Sequence, residues 1–408
     1  MTRIHGRRRA ARFVLTAGIA TAAAVTGFTG SAAAGTPAAL PTGTILAAVP
    51  VGSAAAIPNS YIVTFQAGTR AADVPAVAER LVRKYGGRVE ESYTSALSGF
   101  HATMSRTQAR RLAAHPAVRS VEQDAEVTGD GVQPNPTWGL DRIDQAALPL
   151  SKSYTYRSAA GVTAYVLDTG IRITNADFGG RARDGYDAID NDTKAQDCNG
   201  HGTHVAGTIG GATYGVAKDI KLVGVRVLDC QGSGSYSAII KGIDWVTKNA
   251  VKPAVANMSL GGSTSTTLNA AVQKSIASGV TYAVAAGNDD RDACKQSPAS
   301  QPDAITVAAT DNTDKRASFS NFGTCVDIFA PGVKILSASY KSDTGTATMS
   351  GTSMASPHVA AAAALVLAAN PSFTPKQVRD ALVANASTKV QDKVGSPAKL
   401  LNTSYLNG

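Results

Sequence analysis

Three short stretches of this chain hold the side chains best suited to chemistry. Asp197-Cys-Asn-Gly-His201-Gly-Thr-His204 sets two histidines three apart among glycines. Val162-Thr-Ala-Tyr-Val-Leu-Asp168-Thr-Gly170 ends an apolar run on a carboxylate. Ser350-Gly-Thr-Ser353-Met-Ala-Ser-Pro-His358 opens a long Ala-rich stretch. Two histidines can ligate a metal, but a zinc-protease helix needs them four apart with a glutamate as base. Residues 131–408 contain no Glu. A charge at the carboxyl end of a buried strand is costly unless paired; a helix N-cap is the plain alternative for Asp168. Ser353 at a helix start could likewise be a cap, or a nucleophile whose own amide helps hold an oxyanion. Taken together, Asp, His and Ser are the three parts of a nucleophilic acyl-transfer site. Their chain order is Asp168, His201, Ser353. The Gly-x-Ser-x-Gly elbow of the α/β-hydrolases fails here, because its fifth position is Ala355.

Elements must bring these residues together. From residue 131 on, short Val- and Ala-rich runs read as strands: Val162–Leu167, Leu222–Val227, Val255–Ser259, Thr281–Ala286 and Ile305–Ala308. Helical patterns such as 237–249 and 268–277 lie between them. The alternation predicts an α/β fold, a mostly parallel sheet with helices on both faces. Function in such sheets gathers at the carboxyl ends of the strands, where Asp168 stands. Pro357 is expected in the first turn of its helix, where proline is tolerated. The acidic loop Asp187 to Asp192 is expected to be solvated surface.

The upstream part has a different texture. Residues 57–128 follow the order strand, helix, strand, strand, helix, strand, a small α+β ferredoxin-like domain with no catalytic cluster. Residues 35–56 are uncharged, broken by Pro37, Pro41 and Pro50, and read as a linker. Residues 1–34 run from an arginine cluster through an uncharged stretch to Ser31-Ala-Ala-Ala34, the order of a signal peptide removed on secretion. Residues 129–408 form the remaining, large domain.

The net charge of +9 divides unevenly. Residues 1–34 carry five Arg and no acid; residues 131–408 carry 25 basic and 22 acidic residues, or +3. The large domain is therefore nearly balanced, and neither a nucleic-acid partner nor a membrane after signal removal is expected. The four cysteines, Cys198, Cys230, Cys294 and Cys325, allow three pairings, and the sequence does not choose. Nearest-neighbour pairing would close loops of 32 and 31 residues, each worth about 3–4 kcal/mol in the chain-entropy model. No Cys-x-x-Cys occurs to suggest a zinc site.

Three motifs carry a resemblance: Val166-Leu-Asp168-Thr-Gly, Gly200-His201-Gly-Thr-His-Val-Ala-Gly and Gly351-Thr-Ser353-Met-Ala. With them the chain resembles the subtilisin-like serine proteases (subtilases), in particular the proteinase K-like subgroup with an aqualysin-like pattern. The resemblance covers about 131–408, and residues 57–128 resemble the family's inhibitory propeptide. It implies a secreted, monomeric endopeptidase, made as an autoprocessed zymogen and acting on protein or peptide substrates. Asp168, His201 and Ser353 would be the triad, with Asn288 the oxyanion donor and His204 a packed helper. Gly232-Ser233-Gly234 and Ser259-Leu260-Gly261 would be the edge strands that sandwich an extended peptide. Ala286 and Gly287 would wall a pocket for a large apolar side chain. The same resemblance implies disulfides Cys198–Cys230 and Cys294–Cys325. It also implies structural Ca2+, one ion at Asp327 with the carbonyls of Pro302 and Ala304, a second at Asp141, Asp144 and Gln145. Lys152 stands where related enzymes add an Asn to that second site.

Overall fold

The computed structural model describes residues 56–125 and 131–407, and the backbone of 45–47. The expected signal peptide, most of the linker and residues 126–130 lie outside the described residues.

Strand and helix order in the small domain is as the sequence predicts: strands Ala56–Phe65, Arg88–Tyr93, Gly99–Thr103 and Val118–Ala125, helices Val74–Tyr85 and Arg106–Ala113. Tyr61, Val63 and Phe65 alternate inward along the first strand, as period-two patterning requires. They meet Ala78, Leu81 and Val82 of one helix and Ala109 and Leu112 of the other in one core. The first helix has Pro75 as its second residue and the second starts on a Ser105/Gln108 capping box. Within the stretch expected to be linker, Ile45–Ala47 adds a parallel strand beside Val118–Ala125.

In the large domain seven strands form one sheet, and every neighbouring pair in it is parallel. From one edge to the other they are Ile328–Pro331, Ile305–Thr310, Val280–Ala285, Ala254–Met258, Thr163–Asp168, Lys221–Arg226 and Ala182–Asp187. Successive residues serve opposite faces. Ala164 and Val166 join the core under helices His201–Gly210 and Thr352–Ala369, while Tyr165 and Leu167 join the core under Tyr236–Asn249 and Thr266–Ala277. The Thr352–Ala369 helix is long and apolar enough to cross a membrane by length and composition, but 83% of it is buried inside the protein. Its Ala-rich surface is what lets it lie in the middle of the core.

Two strands of this sheet lie outside the apolar runs that the sequence marks as strands. Ala182–Asp187 carries Arg183, Asp184 and Asp187, and as an edge strand it needs no continuous apolar run. Ile328–Pro331 is four residues long and ends on a proline at the other edge. Asp187 is also not solvated surface: it is 1% exposed and bound to Arg226 at 2.7 Å.

Candidate active site

Asp168 closes the Thr163–Asp168 strand at the carboxyl edge of the sheet and is fully buried. Its Oδ1 takes two donors, the Thr169 amide at 2.8 Å and His201 Nδ1 at 2.7 Å. Oδ2 is buried without a partner among the described residues. His201 opens its helix directly over that strand. The approach depends on Gly202, where a Cβ would fall 2.1 Å from the Gly170 carbonyl oxygen. The His201 side chain is 25% exposed, so one face of the imidazole is reachable. Burial lowers its pKa, but the charge and hydrogen bond of Asp168 and the charge of Asp197 outweigh this, and the net shift is upward.

Ser353 is the second residue of the Thr352–Ala369 helix, where a backbone amide has no intrahelical acceptor. Its hydroxyl donates to the Ser259 carbonyl at 3.2 Å, and no hydrogen bond joins it to His201. Pro357 is not in the first turn, as expected, but is the sixth residue of the helix. Its missing N–H leaves the Ser353 carbonyl free. The Ser259 hydroxyl fills the gap, donating to that carbonyl at 2.8 Å. Behind it, Asn257 Nδ2 donates to Ser259 Oγ at 2.8 Å and Ser356 Oγ donates to Asn257 Oδ1 at 2.7 Å. This buried network satisfies what the proline interrupts.

Asn288 lies just past the Val280–Ala285 strand. Its Oδ1 accepts from Thr352 N at 2.8 Å and Thr352 Oγ1 at 2.9 Å. The carbonyl end of the amide is thereby fixed beside the helix start, which turns Nδ2 to donate elsewhere. Gly287 has φ +104°, and a Cβ there would meet Gln296 Oε1 at 2.0 Å and Asn321 Nδ2 at 2.3 Å. Only glycine fits. The buried Asn321 holds this turn from behind, donating to the Ala286 carbonyl and accepting from the amides of Asp289 and Arg291.

Gly232–Gly234 and Ser259–Gly261 are not strands, as expected, but irregular segments. Asp229 shapes the first, accepting from the Ser233 amide at 2.9 Å. Tyr236, two residues past the first, donates its hydroxyl to the carbonyl of Ser263, two residues past the second, at 2.6 Å. His204, on the buried side of the base helix, is close to Ile335 O at 2.9 Å, and burial pushes its pKa down to about 4. It is a packed histidine with no exposed surface. A separate cavity of about 810 Å3 lies at the opposite end of the sheet, lined in part by Lys252, Lys274, Ile276 and Phe373.

Comparison with known proteins agrees with this geometry. Residues 159–402 match the subtilase family and residues 60–129 match the peptidase inhibitor I9 family. The chain belongs to the subtilase family. An extracellular serine proteinase of a Thermus species is 56% identical over 333 residues, 81% of each chain. Alkaline serine exoprotease A of Vibrio alginolyticus is 51% identical over 362 residues, 85% of this chain and 67% of that one. The crystal structure of a cold-adapted subtilisin-like serine proteinase aligns with TM-score 0.65 and 56% identity, over 66% of this chain and 98% of that chain.

The subtilase carries two disulfides, Cys198–Cys230 and Cys294–Cys325. The first joins the loop before His201 to the loop before Gly232. The two calcium sets implied by the resemblance differ. Burial pushes the Asp327 carboxyl up to about 6, its Oδ2 accepting from the Thr306 amide, and such a desolvated carboxylate fits a hard cation. Arg379 already donates to the Pro302 carbonyl beside it. In the Asp141, Asp144 and Gln145 set one acceptor is open, Asp144 Oδ1, buried without a partner among the described residues, and the others are engaged. Both Asp141 oxygens are taken by Ser151 and Lys152 donors, and Gln145 Oε1 accepts from the Ser151 amide. Among the described residues no group of three or more His, Cys, Asp or Glu could hold a metal.

The sequence reading missed Asp197, Asn257, Asn321 and Thr352. Asn257, Asn321 and Thr352 each bond a residue of a distant segment that only the fold brings near. Asp197 alone had a local signal, an Asp shortly before the N-terminus of a helix.

Proposed function

We propose that this subtilase is a secreted serine endopeptidase with broad specificity and a preference for apolar or aromatic residues before the cut. The observation that carries the reading is the 2.7 Å bond between His201 and a fully buried Asp168, on the same sheet edge as Ser353 and Asn288. Ser353 Oγ attacks the peptide carbonyl and gives its proton to His201 Nε2. Asp168 holds Nδ1 and favours the charged imidazolium. Asn288 Nδ2 and the Ser353 amide take the oxyanion. His201 then protonates the leaving amine, and water repeats the cycle on the acyl-enzyme.

Gly232 N and both Ser233 main-chain groups are bound to Asp229 and Ser259 O accepts from Ser353, so an extended peptide would pair with the main chain of Gly234, Leu260 and Gly261, a mode that tolerates many side chains. Ala286 and Gly287 leave room for a large one. The inhibitor module occupies the cleft until the chain is cut between about 127 and 133, by its own active site. A calcium ion held by Asp327, Pro302 and Ala304 would add stability and take no part in the reaction. The named secretion of the Thermus relative and the two disulfides support an extracellular enzyme.

The test compares secreted wild type with Ser353→Ala, by intact mass and by hydrolysis of a Phe-containing chromogenic peptide. Wild type trimmed near residue 130 and active, beside a full-length inert variant, supports the reading. Equal trimming of both chains assigns maturation to another protease. Hydrolysis by both removes Ser353 as the nucleophile.

A further inference from the structure

Asp197 takes no part in the steps above, yet its carboxylate gathers donors from both sides of the acid–base pair. Oδ1 accepts from Thr169 Oγ1 at 2.9 Å, Asn199 N at 2.9 Å and Gly200 N at 2.8 Å. Oδ2 accepts from Thr203 N at 2.9 Å and Thr203 Oγ1 at 2.5 Å. Thr169 directly follows Asp168, and residues 199, 200 and 203 flank His201. Thr169 Oγ1 in turn accepts from the Gly202 amide at 2.9 Å. Gly200, the N-cap position of the base helix, has no side chain to cap it. Asp197 therefore takes the Thr203 amide of the helix and the two amides just before it, while the His201 amide goes to Asn199 Oδ1, and it sets a negative charge at the positive end of the helix dipole.

The same carboxylate is a second negative charge beside the imidazole. Several titratable groups lie on the elements packed against the base helix. Tyr165 and Asp168 are on one strand, Lys221 and Arg226 on the next, Asp177 on the short turn at 176–178 and His358 on the nucleophile helix. Arg226 is bound to Asp187 and Asp190, and Asp177 accepts the amides of Thr213 and Tyr214. Burial keeps His204 and His358 neutral, each down to about 4. Asp168 and Asp197 are the two charges that raise His201.

We infer that Asp197 is a positioning residue that locks the acid strand to the base helix and, through its charge, favours the imidazolium formed when Ser353 gives up its proton. This rests on the proposed role of His201 as base. The serine hydroxyl needs no Asp197 contact; the geometry and charge of its acceptor do.

The test is the pH profile of kcat/KM on a Phe-containing chromogenic peptide, for mature wild type, Asp197→Asn and Thr203→Val. Asp197→Asn should lower kcat about tenfold with KM within about twofold, and move the acid limb down by about half a unit. Thr203→Val loses the hydroxyl contact and keeps the charge, so kcat should fall while the limb stays. Should Asp197→Asn fail to mature, Asp197→Ser keeps an acceptor without the charge and must shift the limb likewise. An acid limb unmoved in the charge-removing variants overturns the inference. Wild-type activity that survives Ser353→Ala is a separate result, and overturns the reading of the site instead.

Discussion

The two halves of the site are held in different ways. On the acid–base side the bonds are already made: Asp168 to His201 at 2.7 Å, with Asp197 tying both flanks together. On the nucleophile side the groups are adjacent but turned aside. Ser353 Oγ donates to Ser259 O at 3.2 Å, in a helix whose carbonyl ladder Pro357 interrupts. The difference follows from what each half must do. A base has to keep one tautomer and one orientation through the cycle, so fixed partners serve it. The nucleophile must change partner when substrate arrives, and bonds of this kind are often long before the substrate is bound.

The largest expected effect comes from the fixed half. His201→Ala should lower kcat by about 10^6-fold, a magnitude established on subtilisin itself, leaving the residual rate of the oxyanion groups. A loss below about tenfold, measured by single-turnover hydrolysis, would erase the distinction between the halves.

On the nucleophile side Asn288→Leu should lower kcat by about 10²–10³-fold with KM nearly unchanged, again by analogy with subtilisin. An equal rise in KM would mean that Asn288 binds ground-state substrate instead. Ser259→Ala should be milder. It strips the Ser353 carbonyl of its hydroxyl donor and leaves Asn257 Nδ2 unpaired, costing about 1–3 kcal/mol of stability in denaturant unfolding. No change in the unfolding midpoint would show that the helix closes around Pro357 without this network.

The smallest effect is a slope. His204 and His358 are neutral in the fold, each held down to about 4, against about 6.5 when unfolded. The unfolded chain then binds more protons in between. Stability is full above pH 6.5 and is lost as pH falls toward 4, by up to about 3 kcal/mol per histidine. Asp144 and Asp327, pushed up to about 6, pull the other way below that pH. In a Ser353→Ala background, His358→Asn should flatten the loss of stability between pH 6.5 and 4. An unchanged slope would clear His358 of the acid sensitivity.

The same contrast explains what the sequence disclosed. Asp168, His201 and Ser353 stood out because each sits in a short local pattern: a strand ending on a charge, and two helices opening with glycine beside the reactive residue. The central strands were readable because buried parallel strands are apolar on both faces. The supports were not readable. Ser259 reaches the Ser353 carbonyl only because residues 94 positions apart meet, and Asn321 reaches the Ala286 carbonyl across a separation of 35. The sequence points Pro357 to the first turn because nothing in it says that a serine from another segment serves the orphaned Ser353 carbonyl. Asp187 reads as surface in the sequence because its partner, Arg226, lies 39 residues away on the neighbouring strand.

The central claim, that Ser353 is a nucleophile activated by His201, is tested most directly by covalent trapping. Mature wild type, and His201→Ala trimmed by an added protease and repurified, are treated with a fluorophosphonate probe, and the modified residue is mapped by peptide mass. One adduct, on Ser353, formed far more slowly in His201→Ala, is the predicted result. An adduct on any other residue, or equal labelling without His201, would contradict it.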